Sequence, residues 1–139
     1  MRVTLDTNVV IAGLYSRNGA SYQLLKMVIM GELDYALTPL LVFEYEGKVS
    51  EKIRSGLLKL TFDECQTVIH ALIENGVLIE RPYLLGPILK DASDVKVIEC
   101  AVSGECEVII TFDKRHFPNS VLKKYQLSVL TPGEFYKAR

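Results

Sequence analysis

Val108-Ile109-Ile110 is an unbroken run of β-branched apolar residues. A strand with one wet face alternates apolar with polar residues, whereas a strand covered on both faces does not. This run therefore predicts a buried strand in a sheet with helices on both sides. Val3-Thr4-Leu5, Tyr35-Ala36-Leu37, Val77-Leu78-Ile79 and Leu127 to Leu130 read as further short strands. Between them the apolar spacing turns helical.

Val9-Val10-Ile11-Ala12 predicts a short helix after a polar turn. Leu24, Leu25, Val28 and Ile29 share one helix face, which Gly31 ends. Thr38-Pro39 starts a helix that runs to about Arg54, with Pro suited to the first helical position. Gly47 lies inside it as a weak or bending point. Thr61-Phe62-Asp63-Glu64 matches a capping box. Cys65, Val68, Ile69, Leu72 and Ile73 follow on one face, and Asn75-Gly76 closes that helix. Asp91-Ala92-Ser93-Asp94 opens a helix carrying Val95, Ile98 and Val102. Thr131-Pro132-Gly133-Glu134 caps a terminal one with Phe135 and Tyr136. Strands alternating with helices predict a parallel sheet.

The 139 residues suit one domain, 1–139, long enough to bury a core without disulfides. No apolar run reaches the roughly 18 to 20 residues that a membrane span needs. Nor does the start resemble a signal peptide, so a cytoplasmic protein is expected. The cysteines, at 65, 100 and 106, form no C-x-x-C pair and are expected as free thiols, with Cys65 and Cys100 buried. A net charge of −1 argues against a tight nucleic-acid complex but not against an enzyme.

Two acids directly follow strands: Asp6 after Val3-Thr4-Leu5, and Asp113 after Val108 to Thr111. Open α/β sheets bind ligands at the carboxyl ends of their strands. Asp94, at a helix start, and Glu44, about one turn into another helix, can lie at the same edge. Clustered carboxylates repel one another and raise each other's pKa. A divalent cation removes that repulsion, and Mg²⁺ and Mn²⁺ favour oxygen ligands. Such an ion suits phosphodiester hydrolysis.

Each acid also has a plainer explanation. Asp6 can cap the next helix through Asn8 or Val9. Glu44 can pair with Lys48 at i, i+4. Asp94 can complement a helix dipole, and Asp113 can cap a turn before Lys114-Arg115. Spacing alone favours the Lys48 pairing for Glu44 and does not show that the four acids converge.

The order of motifs resembles the PIN-domain family, in the VapC-like branch of toxin–antitoxin toxins. The resemblance covers nearly the whole chain. Its motifs are the opening strand with Asp6-Thr7-Asn8-Val9, then Thr38 to Glu44, then Asp91-Ala92-Ser93-Asp94 running into Lys96 to Ala101, then Thr111-Phe112-Asp113 with Phe117. The closing Thr131 to Phe135 also resembles that branch. The third motif is thinner in acids than is usual, with Ala92, Ser93 and Val95. Asp91 replaces Asp94 if the register slips. Asp94 is preferred for its distance from Ala101 and Thr111, leaving Asp91 as helix N-cap or outer acid.

The resemblance implies a three-layer α/β/α sandwich with four to five parallel strands. It implies a Mg²⁺- or Mn²⁺-dependent endoribonuclease that cuts single-stranded RNA. Asp6, Asp94 and Asp113 would ligate metal. Glu44 would ligate it or orient a bound water. Asn8 and Thr111 would hold the acids by hydrogen bonds. A cognate antitoxin and a homodimer are implied as partners, with the faces 24–29 and 65–73 as dimer contacts or as core.

Arg17, Lys48, Lys114, Arg115 and His116 are candidate RNA contacts, Lys114-Arg115-His116 the best of them because it follows Asp113 directly, and each is more often a solvated charge. The alternative function is a catalytically silent PIN-like module binding RNA or protein. Four intact acids argue against it. A haloacid-dehalogenase-type phosphatase needs a second Asp where Asn8 stands. A P-loop or dinucleotide fold lacks its Gly-rich loop.

Overall fold

The computed structural model describes residues 1–139. Five strands form one parallel sheet: β1 (Arg2–Leu5), β2 (Asp34–Leu37), β3 (Val77–Leu78), β4 (Val108–Ile110) and β5 (Ser128–Leu130). The helices are α1 (Thr7–Tyr15), α2 (Ala20–Ile29), α3 (Pro39–Arg54), α4 (Phe62–Asn75), α5 (Ala92–Ser103), α6 (Asn119–Lys124) and α7 (Pro132–Ala138). This is the expected α/β architecture with a five-stranded parallel sheet.

The sheet order is β3-β2-β1-β4-β5. The chain steps outward from β1 through β2 to β3. It then returns to the other side of β1 for β4 and β5. The reversal between β1 and β4 is where such sheets open a crevice at their carboxyl edge. The register there pairs Val3 with Val108 and Leu5 with Ile110. The Asp6 amide extends the ladder by donating to the Ile110 carbonyl at 2.9 Å. Val3, Leu5, Ile109 and Ile110 are fully buried, as a sheet with both faces covered requires.

Local chemistry sets the helix starts. Thr38 accepts a bond from the Leu41 amide at 3.1 Å, and Pro39 fills the first helical position of α3. Thr61 with Glu64, and Thr131 with Glu134, close reciprocal capping boxes on α4 and α7. Asp91 caps α5 through the Ser93 amide at 2.9 Å. Gly31, at φ +75°, ends α2 in a conformation that side chains resist. Gly13 matters for a different reason: a Cβ there would sit 2.9 Å from Leu25 Cγ, so α1 and α2 approach closely only because it is glycine.

Some expectations shift. The third strand ends at Leu78, and Ile79 keeps only an amide bond to the Leu37 carbonyl at 2.8 Å. The fifth begins at Ser128 rather than Leu127. Gly47 does not interrupt α3, whose neighbouring turns hold Leu41, Tyr45 and Val49 in the core. On the faces at 24–29 and 65–73, Leu24, Val28, Cys65, Ile69 and Leu72 have no exposed surface and belong to the core, while Ile29, Val68 and Ile73 are half-buried. The 3₁₀ turn Lys114–His116 and α6 were not anticipated. Neither buries a residue, so neither leaves an apolar period to read. All three cysteines are buried free thiols. No helix is long and apolar enough to cross a membrane.

Two buried tyrosines fasten α3 to the sheet. The Tyr45 hydroxyl donates to the Leu5 carbonyl at 2.6 Å. Its single proton is thereby used, so the 2.9 Å bond between the two hydroxyls has Tyr35 as donor. The chain of bonds ends on the residue before Asp6. Tyr45→Phe should therefore cost about 1–3 kcal/mol, because it strands the Leu5 carbonyl and the Tyr35 hydroxyl together. Tyr35→Phe added to it should cost little more, because the orphaned donor is then gone. Urea denaturation of the singles and the double checks this; additive losses would contradict it.

Candidate active site

The carboxyl ends of β1 and β4 place Asp6 and Asp113 on either side of the crevice. Asp6 is 9 % exposed and caps α1. The Thr7 amide donates to its Oδ1 at 2.7 Å, and the Thr111 hydroxyl donates to its Oδ2 at 2.8 Å. Fully buried Thr111 is the hub. Its oxygen also accepts from the Asp113 amide at 3.0 Å and from Asn8 Nδ2 at 3.4 Å. Asn8 Nδ2 donates to Asp113 Oδ2 at 3.1 Å, and Asn8 Oδ1 accepts from the Phe112 amide at 3.4 Å. Asn8 and Thr111 thus bind Asp6 and Asp113 into one network.

The opposite wall comes from α3 and the first turn of α5. Asp94 is 7 % exposed, and its Oδ2 lies 3.2 Å from His116 Nδ1. Glu44 does not pair with Lys48, which bonds Glu51 instead at 3.3 Å. Its Oε1 accepts from Lys96 Nζ at 2.6 Å, and its Oε2 accepts from Ser93 Oγ at 3.4 Å. Asp6, Asn8, Glu44, Lys48, Lys52, Asp91, Ser93, Asp94, Asp113 and His116 line one cavity of about 350 Å³.

The remaining candidates lie elsewhere. Lys114 reaches Glu134 at 3.0 Å. Arg115 lines an adjoining concavity with Asp91, Asp94 and His116. Arg17 sits on the largest concavity, an apolar groove of about 910 Å³ between α1, α2 and α4 that carries one acid, Glu64. Size does not make that groove the reactive site, because its single acid has no second carboxylate beside it to share an ion. Ser93 and Lys52 line the acidic pocket and Lys96 bonds its Glu44, none of them having been singled out. Lys96 and Ser93 lie within the third motif, but only tertiary structure brings them to Glu44.

Burial is the main force on the two innermost acids. It raises the Asp6 pKa, against the Thr111 and Thr7 hydrogen bonds, and Asp113 adds to the rise. It raises Asp94 from 3.8 to about 6, with Asp6 adding repulsion and His116 opposing. Each acid is thus disfavoured in its charged form partly by another.

No three of the chain's acidic, histidine and cysteine side chains stand close enough to cage a bare ion. The donor set nevertheless suits a hard cation. The Asp6, Asp94 and Asp113 carboxylates supply oxygen donors, with His116 beside Asp94, and Asp94 Oδ1 and Asp113 Oδ1 have no protein hydrogen-bond partner. Mg²⁺ characteristically keeps several waters and takes only one or two carboxylates directly, so it does not require a closed cage.

A PIN-domain sequence profile matches residues 2–115. A stretch of 42 residues is 43 % identical to the Mycobacterium tuberculosis protein named "Putative ribonuclease VapC50". That stretch is 30 % of this chain and 25 % of that protein. Among solved structures, a chain of VapBC2 from Rickettsia felis, crystallised with a DNA fragment from its promoter, superposes with a TM-score of 0.57 at 12 % identity. The match covers 93 % of this chain and 97 % of that one. PAE2754 from Pyrobaculum aerophilum superposes with a TM-score of 0.60 at 13 % identity, over 99 % and 88 % of the two chains. At these identities the likeness is one of fold. The profile covers most of the chain, from β1 into the 3₁₀ turn after Asp113, and the chain belongs to the PIN-domain family.

Proposed function

We propose that this chain is a Mg²⁺- or Mn²⁺-dependent endoribonuclease acting on single-stranded RNA, and the toxin of a toxin–antitoxin pair. The observation that carries the reading is the convergence of Asp6, Asp94 and Asp113, from β1, α5 and the end of β4, in one polar pocket at the sheet's switch point. Kinship with VapC proteins supports the ribonuclease assignment and a cognate antitoxin as partner. A homodimer belongs to the same reading.

In this scheme Asp6, Asp94 and Asp113 hold the ion. When bound, the ion neutralises the acids and supplies the activated water for phosphodiester hydrolysis. Thr111 and Asn8 fix the Asp6 and Asp113 carboxylates before substrate arrives, so no reorganisation is needed then. Lys48 and Lys52, on the α3 wall, draw the phosphate backbone toward the acids. Glu44 is the fourth acid of the pocket, and Asp91 holds the α5 start that carries Asp94.

The purified chain should cleave a mixed single-stranded RNA pool with Mg²⁺ or Mn²⁺ and not in EDTA. Asp6→Asn and Asp94→Asn should each lower the rate at least ~100-fold, a loss of about 3 kcal/mol in transition-state stabilisation. A folded, partner-free protein that cuts nothing with either metal would instead be a binding module.

The raised acids also predict how stability varies with pH. A carboxyl whose pKa is raised on folding favours the protonated form in the folded state. The stability this contributes is complete below the unfolded pKa, near 3.8, and is lost as pH rises through about 6 for Asp94. Metal-free protein should therefore melt lower at pH 7 than at pH 5, and Mg²⁺ or Mn²⁺ should raise the melting temperature more at pH 7. Asp94→Asn should raise the metal-free value at pH 7 by about 2–6 °C and weaken the metal response. Thermal melts of both proteins at both pH values test it; an unchanged or lower value for the variant would refute it.

A further inference from the structure

Glu44 differs from the three aspartates in its surroundings. Both of its oxygens are engaged, Oε1 by Lys96 at 2.6 Å and Oε2 by Ser93 at 3.4 Å. The pair is mostly shielded, with side-chain exposures of 28 % for Lys96 and 20 % for Glu44. At that length and shielding it is a charge-assisted bond, stronger than an exposed pair. It also joins α3 to α5.

Helical geometry explains the arrangement. Residues two apart on a helix do not face each other. Asp94 and Lys96 therefore leave α5 in different directions. Asp94 lies against His116 beside the end of β4, while Lys96 reaches Glu44 on α3. One turn of α5 thus contributes an acid to the pocket and a cation to the Glu44 carboxylate that lines its α3 side.

We propose that Lys96 is a positioning residue that takes the place of a second cation at Glu44, so that the pocket binds a single divalent ion on the Asp6, Asp94 and Asp113 side. The inference rests on the metal-dependent reading above and specifies it further. A fixed ammonium against Glu44 satisfies that carboxylate and repels a further divalent ion from it. Glu44 then anchors the α3 wall rather than ligating metal.

The test counts Mn²⁺ on the full chain, by calorimetric titration and by the paramagnetic signal of unbound Mn²⁺. Wild type should bind one ion. Glu44→Gln should leave its Kd within about 3-fold, whereas Asp94→Asn should raise it by about 10-fold or more, as loss of a group that holds metal does. Lys96→Gln uncovers Glu44 and should add a second, weaker ion; Lys96→Arg should keep the count at one. If Lys96→Gln does not fold, Glu44→Gln and Lys96→Arg decide. Two ions on wild type, or a Glu44→Gln loss as large as that of Asp94→Asn, overturns the inference while leaving metal dependence intact. A folded wild type that binds no Mn²⁺ removes the metal-dependent reading and this inference with it.

Discussion

A buried carboxylate at the end of the central strand is the constraint on which the rest of the structure depends. Asp6 closes β1, caps α1 and accepts from Thr111 on the neighbouring strand. A buried charge without partners is costly, so these bonds are a condition of placing an acid there. Thr111 can serve only because β4 lies directly beside β1, and that adjacency is the reversal in strand order. The buried Tyr45 hydroxyl then ties down the carbonyl of Leu5, one residue earlier. Position, orientation and electrostatic cost of Asp6 are therefore all settled by the fold around it.

The hydrogen bonds do not fully meet that cost. Asp6 keeps a raised pKa despite two donors, and Asp94 beside it is raised to about 6. A sheet optimised for stability alone would carry neutral side chains at these positions. Local conflict of this kind is where natural folds depart from consistency between levels, and it concentrates at functional sites.

Much of the fold was legible because it is written in local chemistry. Pro39 after Thr38, the two capping boxes, and Gly31 after an apolar face each act within four residues. The strands at 3–5 and 108–110 were legible from composition, since only full burial permits such runs. Asp6 and Asp113 followed, because an acid just past a buried strand has to lie at the sheet's edge. What escaped was long-range or featureless. Glu44 meets Lys96 across 52 positions, and spacing pointed instead to Lys48, four residues away. Arg17, one of the candidate RNA contacts, lies on an apolar groove that only the packing of α1, α2 and α4 creates. Gly13 gave no signal, because its role is to be absent where Leu25 packs. The six-residue α6 left no apolar period long enough to read, since only Val121 and Leu122 pack against the core from it.

The first turn of α5 shows which electrostatic effect prevails. Asp94 stands where the helix dipole favours an anion, an effect worth about 0.3–1 kcal/mol near a surface. His116 also favours the charged form. Yet the net movement is upward, from 3.8 to about 6, equivalent to about 3 kcal/mol at 1.36 kcal/mol per pKa unit. Burial and the Asp6 charge therefore outweigh both favourable contributions. Removing the burial would open the pocket, and removing Asp6 would uncap α1. Relief that leaves the fold intact has to come from added positive charge. Lys96, on the same helix turn, cannot supply it, because its ammonium is committed to Glu44 on the far wall. The fold thus neutralises one acid of this pocket with a lysine and leaves Asp94 with only His116 beside it, which is the imbalance the proposed metal would relieve.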